Sequence, residues 1–222
     1  GKERLLQQAS LRLRQNLRTQ LLAAVAAQGA ARSRWGSDGA LSSLLLEQVD
    51  ALDGYISRPD GRIDWLDEAN RRIPPGEDCG TADFLATVDA VVMGRGTFEL
   101  LLGDGVWPYG SRPVRVMSRR PLAIPEALRA TVQASAAAPK AVLEELGRLG
   151  ARHVYVDGAR LLAAFLAERL VDEITLTVVP VLIGQGRPLG GPLQADLKLS
   201  LVSTRAYGFG FVQQRYRIDA TG

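Results

Sequence analysis

Residues 153–170 read HVYVDGARLLAAFLAERL and determine the fold class. HVYVDG predicts a strand, and ARLLAAFLAERL, which follows without a linker, has the apolar spacing of an amphipathic helix. Gly158 stands in the turn between them. A strand that passes directly into a helix is the repeating unit of an α/β sheet.

The same alternation extends outward in both directions along the chain. DAVVMG is a continuous apolar run, typical of a strand buried on both faces, and TFELLL after it predicts a helix. Further strands are predicted in LLLEQV and PVRVMS, and further helices over 80–88 and 139–149. The last third, with EITLTVVPVLIG, LKLSLVSTRAYG and GFVQQRYRID, contains few helix signals. We therefore expect an α/β fold with a mixed, mostly parallel sheet and helices on both faces.

Three of the predicted strands end in turns that suit a nucleotide. VVMGRGTF, VRVMSRRP and VYVDGARLL each place small residues or arginine at the carboxyl end of a strand. In open α/β sheets nucleotides bind at that edge, because helix amino termini present N–H groups and a positive dipole end to phosphate. Neither a GxxxxGK[ST] loop nor a GxGxxG after the first strand is present, so a Walker-type triphosphatase is not predicted.

Residues 1–40 differ from the rest and are expected to be a helical extension with a linker, followed by one domain over 41–222. A helix is predicted over 2–28, with an apolar stripe of Leu6, Leu13, Leu17, Leu21 and Val25. GAARSRWGSDG then forms a glycine-rich linker. The helix is either a packing or dimerisation arm or an extension without a function of its own.

The charge distribution argues against a nucleic-acid partner. The formal net charge is +3, but residues 1–40 hold seven basic and two acidic residues, a net +5. The remaining 20 basic and 22 acidic residues give −2. A nearly neutral domain is a poor ligand for a phosphate backbone.

Other functional classes are disfavoured by composition. The chain contains one cysteine, Cys79, and one histidine, His153. Cys79 is either a nucleophile or, as we favour, a small residue at a helix start, and His153 is interpreted as structural. The cysteine and histidine spacings of a structural zinc site are absent, and we predict no metal. No apolar run reaches the roughly 18 residues of a membrane span, and no signal-peptide pattern begins the chain, so a cytoplasmic location is expected.

Five segments taken together resemble the dihydrofolate reductase-like family. They are LDGYISRPDGRIDWL, VVMGRGTFE, RPVRVMSR, HVYVDGARLLAAFL and DEITLTVVPVLIGQGRPLGG, and the similarity covers about residues 41–219. That family includes the C-terminal reductase domain of the bifunctional riboflavin-biosynthesis enzyme. The resemblance implies an eight-stranded mixed sheet and, in many members, a homodimer.

The resemblance also implies NADPH as the cofactor. The GRGT turn would contact its phosphates, the Ser-Arg pair after the next strand would bind the 2′-phosphate, and the turn before the later helix would surround the pyrophosphate. Arginine suits phosphate because its planar fork makes two charge-assisted hydrogen bonds. The implied cofactor contacts are Val49, Gly94, Arg95, Thr97, Ser118, Arg119, Gly158, Ala159, Arg160 and Leu161.

The candidate substrate contacts are Asp53, Tyr55, Trp65 and Trp107, and the loop from Asp53 to Trp65 would cover the nicotinamide and the substrate. Asp53 either orients a polar group of the substrate or is a turn former before glycine. The two tryptophans either line the substrate pocket or pack in the core. No catalytic residue is predicted.

Two departures from the family bear on function. Ala159 stands where a second glycine is common, and Asn70 falls where folate reductases carry a carboxylate. We therefore expect hydride transfer from NADPH to a small heterocyclic or sugar-linked substrate, similar to the reduction of 5-amino-6-(5-phosphoribosylamino)uracil, rather than folate reduction. The alternatives are a non-catalytic nucleotide- or small-molecule-binding protein on the same fold, and an interaction protein that acts through its N-terminal helix.

Overall fold

The computed structural model describes residues 43–103, 105, 107–189, 193 and 195–219. The predicted helical extension and its linker, residues 1–40, lie outside this part of the chain. Among the described residues, no helix is both long enough and apolar enough to cross a membrane.

An eight-stranded sheet forms the centre of the protein, with the strand order β5-β4-β3-β6-β1-β7-β10-β9. Its strands are β1 (Ser43–Ala51), β3 (Ala90–Gly94), β4 (Val114–Met117), β5 (Val132–Ser135), β6 (His153–Asp157), β7 (Glu173–Val179), β9 (Leu199–Ala206) and β10 (Val212–Ile218). A separate two-stranded sheet pairs β2 (Tyr55–Ser57) with β8 (Arg187–Pro188). The α-helices of the described residues are α1 (Asp64–Asn70), α2 (Thr81–Thr87), α3 (Arg95–Gly103), α4 (Pro139–Arg148) and α5 (Ala159–Ala167).

The pairing confirms the predicted mixed, mostly parallel sheet. Neighbouring strands from β5 to β7 pair in parallel. Strand β10 is antiparallel to both β7 and β9. The order of the six parallel strands requires that the chain cross the sheet through helices, as the alternating pattern predicts.

Helices cover both faces of the sheet, which the alternation of side chains along β3 shows. Ala90 and Val92 pack in one buried cluster with α4 and α5, whereas Val91 and Met93 pack in another with α2 and α3. Successive side chains of a strand point to opposite faces, so a strand covered on both sides must be apolar throughout. This explains why DAVVMG has no polar face.

Strand β7 is shorter than the apolar segment that contains it, and it lies inside the sheet. The segment EITLTVVPVLIG does not form one long strand, because β7 ends at Val179, directly before Pro180, which has no N–H to donate to a ladder. Nor is β7 an unprotected edge, since it lies between β1 and β10. The edges are β5 and β9, and every residue of β9 is exposed.

The segment from Asp53 to Trp65 is also more regular than the predicted loop. It contains β2 and the first residues of α1, including Trp65 itself. The short strand β5 was not predicted either. These elements have seven residues or fewer, and tertiary contacts rather than a local pattern stabilise them.

Candidate cofactor and substrate site

The parallel strands leave a gap at their carboxyl edge. Strand β1 pairs with β6 only over Ser43–Leu45, and with β7 from Leu45 to Ala51. Strand β6 ends at Asp157, so within the described residues the far half of β1 has no strand on its β6 side. Val49 lies in this half, and its register partner is Thr177 of β7. Ligands of open α/β sheets bind in such a crevice at the carboxyl ends of the strands.

Two predicted phosphate turns touch each other across the end of β6. Gly158 has a φ of +112°, and a methyl group at its Cα would lie 2.6 Å from Thr97 Oγ1 and 3.9 Å from the Gly94 nitrogen. Only glycine tolerates both the backbone angle and the contact. The turn after β3 and the turn after β6 therefore adjoin and form one surface, in which Gly158 lies against the Thr97 hydroxyl.

The helices that start at this surface suit an anion. The carbonyl of Gly158 accepts hydrogen bonds from the N–H groups of Leu161 and Leu162, at 3.0 Å each, which starts the first turn of α5. The N–H groups before them, from Ala159 and Arg160, belong to the set that has no acceptor within a helix. Neither α3 nor α5 has an acidic residue in its first turn, so the positive ends of both helices lack an internal counter-charge there.

The predicted arginine and serine contacts meet at the ends of β3 and β4. Arg95 donates to Glu99 Oε1 at 2.6 Å and to Ser118 Oγ at 3.5 Å. Ser118 Oγ also donates to the Arg120 carbonyl, at 2.8 Å. Arg119 is exposed, and among the described residues it has no ion-pair partner.

Asp53 connects the turn after β1 to the segment after β7. Its Oδ2 accepts hydrogen bonds from the N–H groups of Ile183 at 2.9 Å and Gly184 at 2.7 Å. A backbone bond of 2.8 Å from Leu52 to the carbonyl of Val181 strengthens the connection. The other carboxylate oxygen, Oδ1, is buried without a hydrogen-bond partner.

The aromatic candidates lie in two different clusters. Trp65 is 5% exposed and packs with Ala51 and Val179, the last residues of β1 and β7. Trp107 makes an edge-to-face contact with Phe98 of α3, at 5.9 Å between ring centroids. Both tryptophans therefore pack in the core, and the buried indole N–H of each has no acceptor in the described part of the chain.

The fourth substrate candidate, Tyr55, is half-buried in β2. Its Cβ would lie 2.8 Å from a methyl group at Gly186, so the side chain rests against the backbone beside β8. Tyr55 thus contributes to the packing of the two-stranded sheet, and a substrate contact stays a prediction.

Sequence reasoning missed a polar pair beside the glycine turn. The hydroxyl of Tyr109 donates to Asp157 Oδ2 at 2.5 Å, which fixes the carboxylate that ends β6. Tyr109 is buried and its ring contacts Trp107, at 5.4 Å between centroids. The Asp directly before Gly158 was a signal for this pair, but the sequence gives no indication of its partner.

One further carboxylate is already paired, and three other residues named in the sequence analysis lie at or beside the ends of helices and strands. Asp64 at the start of α1 accepts a hydrogen bond from Arg58 at 2.7 Å, and this bond lowers the pKa of Asp64, which favours its charged form. Asn70 is the last residue of α1. His153 is the first residue of β6 and so lies at the amino ends of the parallel strands, whereas the gap is at their carboxyl ends. Cys79 precedes α2.

This sheet, with the open β6 side of β1 and the two adjoining turns after β3 and β6, defines an α/β protein of the dihydrofolate reductase-like class. The sequence profile of the RibD C-terminal domain family matches residues 44–213, and the chain belongs to that family. The uncharacterized protein YwjB of Bacillus subtilis is 36% identical over 160 residues, which cover 71% of this chain and 88% of YwjB.

Solved structures agree with this assignment. A protein from Shewanella sp. PV-4 that is assigned to riboflavin biosynthesis has a TM-score of 0.72 and 29% identity, covering 80% of this chain and 99% of that one. The dihydrofolate reductase of Enterococcus faecalis, in complex with NADP(H) and RAB-propyl, has a TM-score of 0.53 and 16% identity, covering 81% and 98%. The second likeness concerns the fold alone. The predicted family resemblance is confirmed.

The contact at Gly158 makes a prediction about stability. We expect Gly158→Ala to lower the free energy of unfolding by about 1–3 kcal/mol, because the new methyl group meets Thr97 at an unfavourable φ. Gly150→Ala is the matched control, since Gly150 has a φ of +91° but nothing within 4 Å of the added carbon. Urea unfolding should show the larger loss for Gly158→Ala, with part of it recovered when Thr97→Ala is added. Equal losses in the two glycine variants would contradict the contact.

Proposed function

We propose that the protein is an NADPH-dependent reductase that transfers a hydride to a small heterocyclic or sugar-linked substrate. The observation that carries the proposal is the pair of adjoining turns after β3 and β6, where Gly158 lies against Thr97 and two helices begin with N–H groups that lack acceptors within the helix. The membership of the RibD C-terminal domain family supports the same reaction type.

The residues around the gap fit such a cofactor. The backbone of Gly94 and of the first turn of α5, with the Thr97 hydroxyl, would hold the pyrophosphate. Ser118 and Arg119 would hold the 2′-phosphate, and the open side of β1 near Val49 would face the nicotinamide. Arg95 is the first residue of α3, where the positive end of the helix dipole disfavours a cation. A bound phosphate would compensate this charge, and Arg95 would in turn neutralise part of the phosphate charge.

When bound, NADPH supplies the hydride, and the protein supplies position and a dry environment. Trp65 and the ends of β1 and β7 exclude water from one side of the gap. Tyr109 holds the Asp157 carboxylate at the other side, beside the turn that would bind the pyrophosphate. Asp64 remains ionised through its bond to Arg58 and is therefore a poor proton donor near neutral pH.

The function is tested by NADPH oxidation against a panel of substrates that includes 5-amino-6-(5-phosphoribosylamino)uracil. We expect oxidation of NADPH with one member of the panel and transfer of deuterium from cofactor labelled at the nicotinamide C4. Tight NADPH binding without turnover of any member would favour the non-catalytic alternative. Absence of NADPH binding would contradict the proposed reductase.

Cofactor selectivity provides a second prediction. NADPH should bind at least about ten-fold more tightly than NADH, because a charge-assisted hydrogen bond to the 2′-phosphate contributes about 1.5–3 kcal/mol. Arg119→Ala should remove most of this preference, whereas Arg148→Ala, an exposed arginine at the end of α4, should not. Calorimetric titration of each protein with both cofactors measures the difference. Equal affinities of the unmodified protein for the two cofactors would refute the assignment.

We also propose that the protein is a homodimer. The edge strand β9 exposes Leu199, Leu201 and Val202, and its outer backbone groups have no strand partner in the described residues. Exposed apolar edges favour association unless they are covered.

Light scattering at micromolar concentration should therefore give the mass of two chains. Leu201→Lys should shift the protein toward the monomer, because it places a charge on the edge strand. Leu149→Lys, at an equally exposed leucine after α4, should leave the dimer intact. A monomer mass for the unmodified protein would contradict the proposal.

A further inference from the structure

The two outermost strands at the antiparallel end of the sheet have an apolar side. Tyr216 of β10 is the register partner of Ile174 in β7 and of Leu201 in β9, and Ile218 is paired with Leu199. Register partners of antiparallel strands lie next to each other on the same side of the sheet. The side chains of β9 and β10 on this side therefore form one surface, the outer face, which consists of Leu199, Leu201, Tyr216 and Ile218.

The other side of the same two strands is polar. There Arg215 is paired with Ser203, and Arg217 with Ser200. An antiparallel sheet with apolar residues on one side and polar residues on the other is typically covered on the first side and solvated on the second. The pattern of β9 and β10 thus indicates that another element packs on the outer face.

The helices of the described residues cover only the inner part of this side of the sheet. Ile174 of β7 is 4% exposed, because it packs in one buried cluster with α4 and α5, and Ile218 packs against that cluster. One strand farther out, Leu199 is 41% exposed and Leu201 is 58% exposed. Within the described part of the chain, the outer face therefore lacks the cover that its pattern requires.

One stretch outside the described residues is long enough to provide that cover. Residues 1–42 precede β1, whereas each of the other stretches has three residues or fewer. The helix predicted over 2–28 belongs to this stretch, and its apolar stripe of Leu6, Leu13, Leu17, Leu21 and Val25 has the one-sided pattern of a helix that packs on a protein surface.

The connection to β1 also has sufficient reach. One row of register partners crosses the sheet from β1 to β9: Leu45, Glu173, Arg217 and Ser200. The described chain begins at Ser43, so it enters the sheet at the end where Leu199 lies. Three strand spacings of about 4.8 Å separate β1 from β9, roughly 14 Å in total. Residues 29–42, when extended, can span about 45 Å, which is ample for this distance.

We propose that the helix predicted over 2–28 packs on the outer face of its own chain, with its apolar stripe against Leu199 and Leu201. Of the two interpretations of this segment, the packing arm is the one that the outer face supports. The backbone groups at the free edge of β9 point along the sheet rather than out of its face, so they stay available to the proposed homodimer.

Hydroxyl-radical footprinting of the full chain, analysed by mass spectrometry, tests the contact, because oxidation follows the accessible area of each side chain. Two triple variants are compared with the unmodified protein. The first removes the centre of the stripe: Leu13→Ser, Leu17→Ser and Leu21→Ser. The matched control places three serines on the opposite side of the predicted helix: Gln8→Ser, Gln15→Ser and Thr19→Ser. The first variant should raise the oxidation of Leu201 about three-fold or more, and the control should leave it unchanged. Leu100 of α3, exposed on the other side of the sheet, is the internal reference.

Tryptic cleavage of the predicted helix provides the reciprocal measurement, since a packed helix is cleaved only when it opens. Leu201→Ser should speed cleavage after Arg12, Arg14 and Arg18 about three-fold or more, whereas Leu100→Ser should not. Equal oxidation of Leu201 in the three proteins, or equal cleavage in the two leucine variants, would overturn the proposal. Protection of Leu201 that persists without the stripe, or that is lost when the unmodified protein is diluted, would show that a second copy covers the outer face and would overturn it as well.

Discussion

The contact between Gly158 and Thr97 is the constraint on which the site depends. It brings the end of β6 against the beginning of α3, so two helices start from the same patch of the sheet edge. The contact requires that residue 158 have no Cβ and adopt a φ that other residues avoid. Strand β6 ends directly before this turn, whereas β1 continues beyond its pairing with β6 as far as Ala51.

A second constraint comes from Asp53, for which the sequence left two interpretations open. One carboxylate oxygen ties the turn after β1 to the segment after β7. The other oxygen is buried and has no hydrogen-bond partner among the described residues. The carboxylate therefore fixes the path of the chain beside the ends of β1 and β7, and a substrate contact stays a prediction.

The central elements could be predicted from the sequence because their burial leaves a local pattern. Strand β3 is apolar on both faces, and α4 repeats Val142, Leu143 and Leu146 on the side that packs on the sheet. The short elements β2, β8 and α1 could not be predicted, since they depend on contacts with residues far along the chain. The position of β7 inside the sheet also depends on the strand order, which no local pattern encodes. The partner of Asp157 was missed for the same reason, because Tyr109 lies 48 positions away.

The two arginines that the sequence treated alike have different surroundings. Arg95 is held by Glu99 and contacts Ser118, so part of its charge is already compensated and its side chain is already ordered. Arg119 is exposed, with neither of these restraints among the described residues. An arginine that is already ordered loses little rotamer entropy when it binds an anion, but part of its charge is already compensated. An arginine without such restraints offers its full charge, and binding costs it more rotamer entropy. In the proposed site, Arg95 would therefore shape the surface for the phosphates that every nicotinamide cofactor shares. Arg119, which has no ion-pair partner among the described residues, would be the arginine with its full charge available for a single additional phosphate.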